Sequence, residues 1–416
     1  MNMKKRLLIV ACAVLIANCQ TIEQSLKRVD STFGVVSIGT AKNISAIVTS
    51  KDPSEALKQS MKQRSEYYKQ NPQAVVSDIR AVKRDYDRLI ALLTGKVGEK
   101  WGKKEVKVPT KKQYVKYTQN YLSRAVVDFD KGEVMVETLD ESDPSGSLRN
   151  AIVTTLLTSD DPRSVDLFSD KAVTLSSDKE PYLKGLVVNA KGESIADPKA
   201  AESYALYLIQ EKKKQRKVNV EGVNKNSTYV KISMVSNFSN KQAQKYSRMV
   251  HRYADKYKIS PSLVYAVIRT ESNFNPYAVS PVPAYGLMQL VPSSGGRDAY
   301  QRATGNDGIP SKEYLFDANN NIELGTALLN VLAFNYLAEV QNEVSREYCV
   351  ISAYNTGTGN VLKAFSKDRI KAINAINQNS PPEVYAKLKS DLPYEETRDY
   401  LKKVVGYRKQ FIVPMN

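Results

Sequence analysis

Ser260-Pro261-Ser262-Leu263-Val264-Tyr265-Ala266-Val267-Ile268-Arg269-Thr270-Glu271-Ser272 reads as a helix that carries an acid at its end. Ser260 is an N-cap residue, and Pro261 suits the first helical position, where no backbone N–H is needed. The helix then runs from Leu263 to about Ser272. Leu263, Val264, Val267 and Ile268 share a face with Glu271. A carboxyl group at the end of an apolar face is costly to ionise, so its pKa should rise. That suits a general acid working near neutral pH. Taken alone, the same residue reads first as an exposed glutamate on a fraying helix end, and its surroundings have to decide.

Those surroundings are helical. Upstream, Tyr246, Met249, Val250, Tyr253, Ala254 and Tyr257 repeat at three- and four-residue steps, as an amphipathic helix does. Downstream, helices are expected over Ile322–Leu337, Ser345–Tyr354, Gly359–Phe365 and Thr397–Phe411. Before Ser236 the pattern differs. Val75, Ile79, Val82, Tyr86, Ile90 and Leu93 mark one face of a helix that Gly95 and Gly98 should end. Two β-rich runs, Arg124–Phe129 and Glu133–Thr138, flank Asp130-Lys131-Gly132, a hairpin signal. A helix over Leu148–Leu157 follows. Extended segments are expected near Tyr182–Val188 and Thr228–Met234, with a helix near Ala200–Lys214 between them. The chain thus reads as a tether over 19–52, an α+β N-terminal domain over 53–235 with a curved sheet, and a mostly α-helical domain over 236–416. Two folded units plus a tail fit a length of 416 residues.

Four short motifs resolve the question about Glu271. Glu271-Ser272 with Asn273-Phe274-Asn275-Pro276, Gly286-Leu287-Met288-Gln289, Ala353-Tyr354-Asn355 and Glu396-Thr397-Arg398-Asp399-Tyr400 occur in this order over about 130 residues. In that order they resemble the family 23 lytic transglycosylases, the goose-lysozyme-like murein lyases. The run from Tyr354 to Leu362, the upstream Tyr314-Leu315-Phe316-Asp317, and Tyr114-Val115-Lys116-Tyr117 with the strand pair after it resemble one branch, the membrane-bound lytic murein transglycosylase C proteins. The resemblance implies a lysozyme-like fold for the helical domain. It also implies cleavage of the bond between N-acetylmuramic acid and N-acetylglucosamine in peptidoglycan without water. Glu271 would be the single catalytic residue, first as acid and then as base towards the muramyl C6 hydroxyl, leaving a 1,6-anhydro end. Ser272 would orient the acid, and Met288 would pack below it. Gln289, Tyr354 and Asn355 would contact the sugar, and Tyr400 would hydrogen-bond near Glu271.

Independently of the resemblance, no Asp or Glu occurs from Ser272 through Arg297. Glycoside hydrolases normally pair two carboxylates, so a locally acid-poor stretch favours substrate-assisted chemistry. Two alternatives remain: a muramidase-type hydrolase on the same fold, and a non-enzymatic wall-binding lipoprotein. No cofactor is called for, and a metal centre is not expected, because His251 is the single histidine.

The first residues describe export. Lys4-Lys5-Arg6, the apolar run Leu7 to Ala17 and then Cys19 form a secretory signal. The Ile16-Ala17-Asn18-Cys19 ending resembles a lipoprotein signal, which implies a signal peptide over 1–18 and lipidation at Cys19. Gln20 after the cysteine would, by the same resemblance, send the protein to the outer membrane, facing the periplasm. Cys12 would leave with the signal, so Cys349 remains alone in an apolar helical run and reads as a buried core thiol. No apolar run is long enough for a conventional membrane span. The net charge of +17 favours polyanionic partners. Export argues for envelope polymers and the membrane, and against nucleic acid, for which no binding motif is present. The densest basic cluster, Lys212–Lys217, reads first as a solvated helix end opposing the dipole, and second as a contact for lipid or glycan.

Overall fold

The computed structural model describes residues 53–175, 179–282 and 284–411. The signal, the tether and Cys19 lie outside them. An α+β unit precedes a mostly helical one, as the sequence implies.

The first unit is built on one antiparallel sheet in the order β1-β2-β3-β5-β4: β1 (Gln113–Thr118), β2 (Ser123–Asp128), β3 (Glu133–Thr138), β4 (Lys214–Val220) and β5 (Val223–Ser233). The β2–β3 hairpin pairs Val127 with Val134 and Ala125 with Val136. Asp128 closes its turn by accepting from the Asp130 and Lys131 amides. Helices α1 (Pro53–Gln70) and α2 (Pro72–Trp101) lead into the sheet. Helices α3 (Pro144–Leu157) and α4 (Pro198–Glu211) pack on each other, each started by an aspartate, Asp143 or Asp197, that caps an amide of the first turn. Leu93, Val97 and Trp101 of α2 join Val115, Val134, Ile152 and Leu186 in one apolar core.

Several expectations give way here. Helix α2 runs through Gly95 and Gly98 to Trp101, because Val97 and Trp101 are fully buried and outweigh a cost of about 1 kcal/mol per helical glycine. It ends at Gly102, whose φ of +80° a side chain would resist. The segment Tyr182–Val188 is a chain of turns with isolated bridges, not a strand. Its apolar residues are buried by the core without any ladder. The basic cluster divides at the end of α4, and Lys214–Lys217 open the edge strand β4, where charges discourage further pairing. Arg216 turns inward to Glu105 (2.8 Å) and Glu137 (3.0 Å). Glu137 also holds the buried Arg124 at 2.7 Å, whose guanidinium lies 4.0 Å from the Trp101 ring centre.

The helical unit comprises α5 (Phe238–Lys245), α6 (Ser247–Tyr257), α7 (Pro261–Glu271), α8 (Gly295–Thr304), α9 (Lys312–Phe316), α10 (Ala318–Val331), α11 (Glu343–Thr356), α12 (Thr358–Lys363), α13 (Arg369–Gln378), α14 (Pro381–Asp391) and α15 (Glu395–Arg408). A π-turn over Leu332–Tyr336 continues α10. Helix α7 is the axis of this unit, packed between α6 and α15, and every side chain from Ser262 to Ile268 is buried. Pro261 takes the first helical position as expected, but the Ser260 hydroxyl pairs with that of Ser262 instead of capping. Cys349 is buried, and burial pushes its thiol up to about 12.

The two cores exchange residues. Met61 of α1 joins the helical core, with its carbonyl accepting from the Ile309 amide at 3.1 Å. In return Tyr277 and Val279, just beyond α7, sit in the core of the sheet unit.

Candidate active site

Glu271 occupies the last turn of α7, and its side chain is only 8% exposed. Burial raises its pKa. The Lys111 charge and contacts from Lys111 and Tyr400 pull it back, and Glu396 pushes it slightly up. A carboxyl group that holds its proton above the usual range can act as an acid at neutral pH. The Tyr400 hydroxyl of α15 is enclosed beside it without a well-aligned hydrogen bond. Burial and the Glu271 charge hold that phenol, and the Tyr354 phenol, well above their ordinary range, so both remain neutral.

The chain leaves α7 through two successive left-handed residues, Asn273 (φ +51°) and Phe274 (φ +60°). This reversal is held from the other unit. Asn273 donates to the Phe129 carbonyl (2.6 Å), Asn275 donates to the Lys111 carbonyl (3.0 Å), and the Phe274 carbonyl accepts from the Tyr182 hydroxyl (2.6 Å). The Asn-Phe-Asn of the first motif is therefore a docking turn.

The second motif forms a tight loop in which Gly286 has φ +74°. A Cβ there would collide with Asn321 and the Leu315 carbonyl. The Asn321 side chain, on α10, organises the loop: it donates to the Tyr285 and Leu315 carbonyls and accepts from the Met288 amide, each at 2.8 Å. Met288 is fully buried against Gly325 of α10. Gln289, left-handed at φ +48°, donates to the Gly286 carbonyl, and its own carbonyl oxygen is buried with no partner among the described residues.

The third and fourth motifs close the arrangement. The Tyr354 hydroxyl donates to the Met288 carbonyl at 2.8 Å, tying α11 to the second loop. The Asn355 side-chain oxygen accepts from Thr397 of α15 at 2.7 Å. The structure thus brings Glu271, Tyr354 and Tyr400 together, with the Met288 carbonyl tied to Tyr354 and the Asn355 side chain to Thr397. Ser272 is fully buried, and its hydroxyl donates to the Leu287 carbonyl at 2.8 Å, which clamps the first motif to the second.

Lys111 and Asn321 carry no signal in the sequence, and Thr397 stands there only as part of the fourth motif. Asn321 acts through three hydrogen bonds and Thr397 through one, and such contacts leave no periodic trace. Lys111 stands with its ammonium 3.4 Å from the Glu271 carboxylate, and nothing in Pro109-Thr110-Lys111-Lys112 separates it from the chain's other basic residues.

The model of the membrane-bound lytic murein transglycosylase C N-terminal domain matches residues 68–245, and the transglycosylase SLT domain model matches residues 248–377. The membrane-bound lytic murein transglycosylase C of Klebsiella pneumoniae subsp. pneumoniae is 44% identical over 326 residues, 78% of this chain and 89% of that protein. Its counterpart from Yersinia enterocolitica is 44% identical over 311 residues, 75% of this chain and 85% of that protein. Among solved structures, the 70 kDa soluble lytic transglycosylase of Escherichia coli is 27% identical, with a TM-score of 0.30. That match covers 39% of this chain and 23% of the other. By its identity to the Klebsiella and Yersinia proteins over most of their length, the chain belongs to the membrane-bound lytic murein transglycosylase C family.

Proposed function

We propose that this chain is a peptidoglycan lytic transglycosylase in which Glu271 performs both proton transfers. The observation that carries the reading is a carboxyl group at the end of a buried helix, its pKa raised by burial, beside the buried phenols of Tyr354 and Tyr400. Protonated Glu271 donates to the glycosidic oxygen between N-acetylmuramic acid and N-acetylglucosamine, and the C1–O bond breaks. The Glu271 carboxylate then takes the proton of the muramyl C6 hydroxyl as that oxygen bonds to C1. The product ends in 1,6-anhydromuramic acid, and holding the hydroxyl over C1 replaces a second reactant by effective concentration. Gln289 and the Asn355 amide would hold the sugar. Met288 forms the floor that keeps the site apolar, and Tyr400 orients the acid.

Digesting purified sacculi and weighing the products tests this. Wild type should release anhydromuropeptides, and Glu271→Gln should release at least about 100-fold fewer, the scale of a lost general acid. Reducing muramyl ends from the wild type would point instead to a hydrolase, with Glu396, which acts on Glu271 electrostatically, as a second carboxylate to examine.

For location, the relatives' names say membrane-bound, and no helix among the described residues is long and apolar enough to cross a membrane. A lipid on Cys19, placing the protein on the outer membrane towards the periplasm, accounts for both. Cys19→Ala should move the protein from the membrane pellet to the soluble fraction; continued pelleting with the outer membrane would end the lipid-anchor reading.

A further inference from the structure

We propose that Lys111, carried by the sheet unit, is a positioning residue of the reaction that stabilises Glu271 as a carboxylate between its two proton transfers. The inference rests on the reading of Glu271 given above.

The geometry fixes the pair from both sides. Lys111 Nζ lies 3.4 Å from Glu271 Oε2, an ion pair between residues 160 positions apart. Asn275, four residues beyond Glu271, donates to the Lys111 carbonyl, and the Val279 amide donates to the Thr110 carbonyl at 3.4 Å. The Thr110 hydroxyl in turn accepts from the Lys112 and Gln113 amides. The segment that bears the acid therefore grips the segment that bears the lysine. Lys112 does not duplicate it, because its ammonium binds Asp130 at 2.9 Å. The other groups acting on Glu271 are the neutral phenols of Tyr354 and Tyr400 and the exposed Glu396 carboxylate. Lys111 supplies the positive charge in that set.

The reaction has a use for this charge. When Glu271 gives its proton to the glycosidic oxygen, the electron pair of the C1–O bond leaves with the N-acetylglucosamine oxygen. A fresh carboxylate then stands in an apolar enclosure. An unpaired charge is expensive there, and an ammonium within about 4–6 Å lowers that expense. In the second step the carboxylate takes the C6 hydroxyl proton and returns to the acid. Lys111 takes part in neither proton transfer and acts only through Glu271.

The test is the pH profile of anhydromuropeptide release by the full chain. Glu271 must be protonated to start, so the alkaline limb of the profile follows its pKa. Removing the Lys111 charge raises that pKa. Lys111→Met should therefore move the alkaline limb up by about one pH unit and lower the maximal rate by roughly tenfold, the factor that one unit represents. Lys111→Gln should do the same, and Lys111→Arg should restore the wild-type limb. An unmoved limb in both neutral variants, or a uniform loss of rate without a shift, overturns the inference while inactive Glu271→Gln keeps the reading of the acid. An active Glu271→Gln removes that reading itself.

Discussion

Burying Glu271 works against folding. Its carboxyl carries a folded-state pKa raised chiefly by burial. For such a group the folded state binds its proton more tightly than the unfolded chain does. No stability is lost while both states are protonated, below the ordinary carboxylate value of about 4.3. As pH rises from there towards the raised folded value, the unfolded chain ionises first and stability falls. Glu271→Gln keeps the shape and removes this burden. The variant should melt higher than wild type at pH 7, by about 2–4 °C, the shift that about 1 kcal/mol produces in a domain of this size. Calorimetry should show the gap closing as pH falls below about 4; a gap independent of pH, or a lower melting point, would refute the assignment. The raised pKa of Glu271 was legible, because four apolar residues share its helix face, but only the four motifs together set it apart from an exposed glutamate. Lys111 was not, because a contact across 160 residues has no local pattern.

Elements were legible where periodicity and burial agree. Helix α7, the β2–β3 hairpin and α6 obey both, and they stand as expected. Helices α8, α13 and α14, and the edge strand β4, carry more polar faces and were not foreseen. Tyr182–Val188 shows the converse, an apolar run buried as turns, since apolar composition specifies burial without specifying a ladder. The loop of the second motif belongs to this scale, because its shape depends on Asn321 of α10. Gly286→Ala would place a methyl group against Asn321 and the Leu315 carbonyl at a φ that only glycine tolerates well. The expected cost is about 2–4 kcal/mol, from the left-handed backbone and overpacking together, seen as a lower urea midpoint with a loss of activity. A midpoint within experimental error of wild type would show that the loop can rearrange, and that Asn321 does not fix it.

At the scale of the molecule, the order of the units followed from the change of hydrophobic period, but their mutual embedding did not. Met61 crosses into the helical core, and Tyr277 and Val279 cross into the other. Sequence patterns assign residues to elements, whereas a junction is assembled from residues scattered among loops. The junction has one regular trait. Asn273, Asn275, the Val279 amide, the Tyr182 hydroxyl and the Lys245 ammonium all donate to backbone carbonyls across it. Every residue type offers the same carbonyl. Side chains at the accepting positions 110, 111, 129 and 274 can therefore change over generations without breaking these bonds, provided the chain path is kept, whereas Tyr182 both accepts and donates. The donors have no such freedom when they are side chains. Substitution should thus be tolerated unequally on the two ends of each bond, and an exchange of whole units between relatives should succeed when backbone path, rather than residue identity, is matched at the seam.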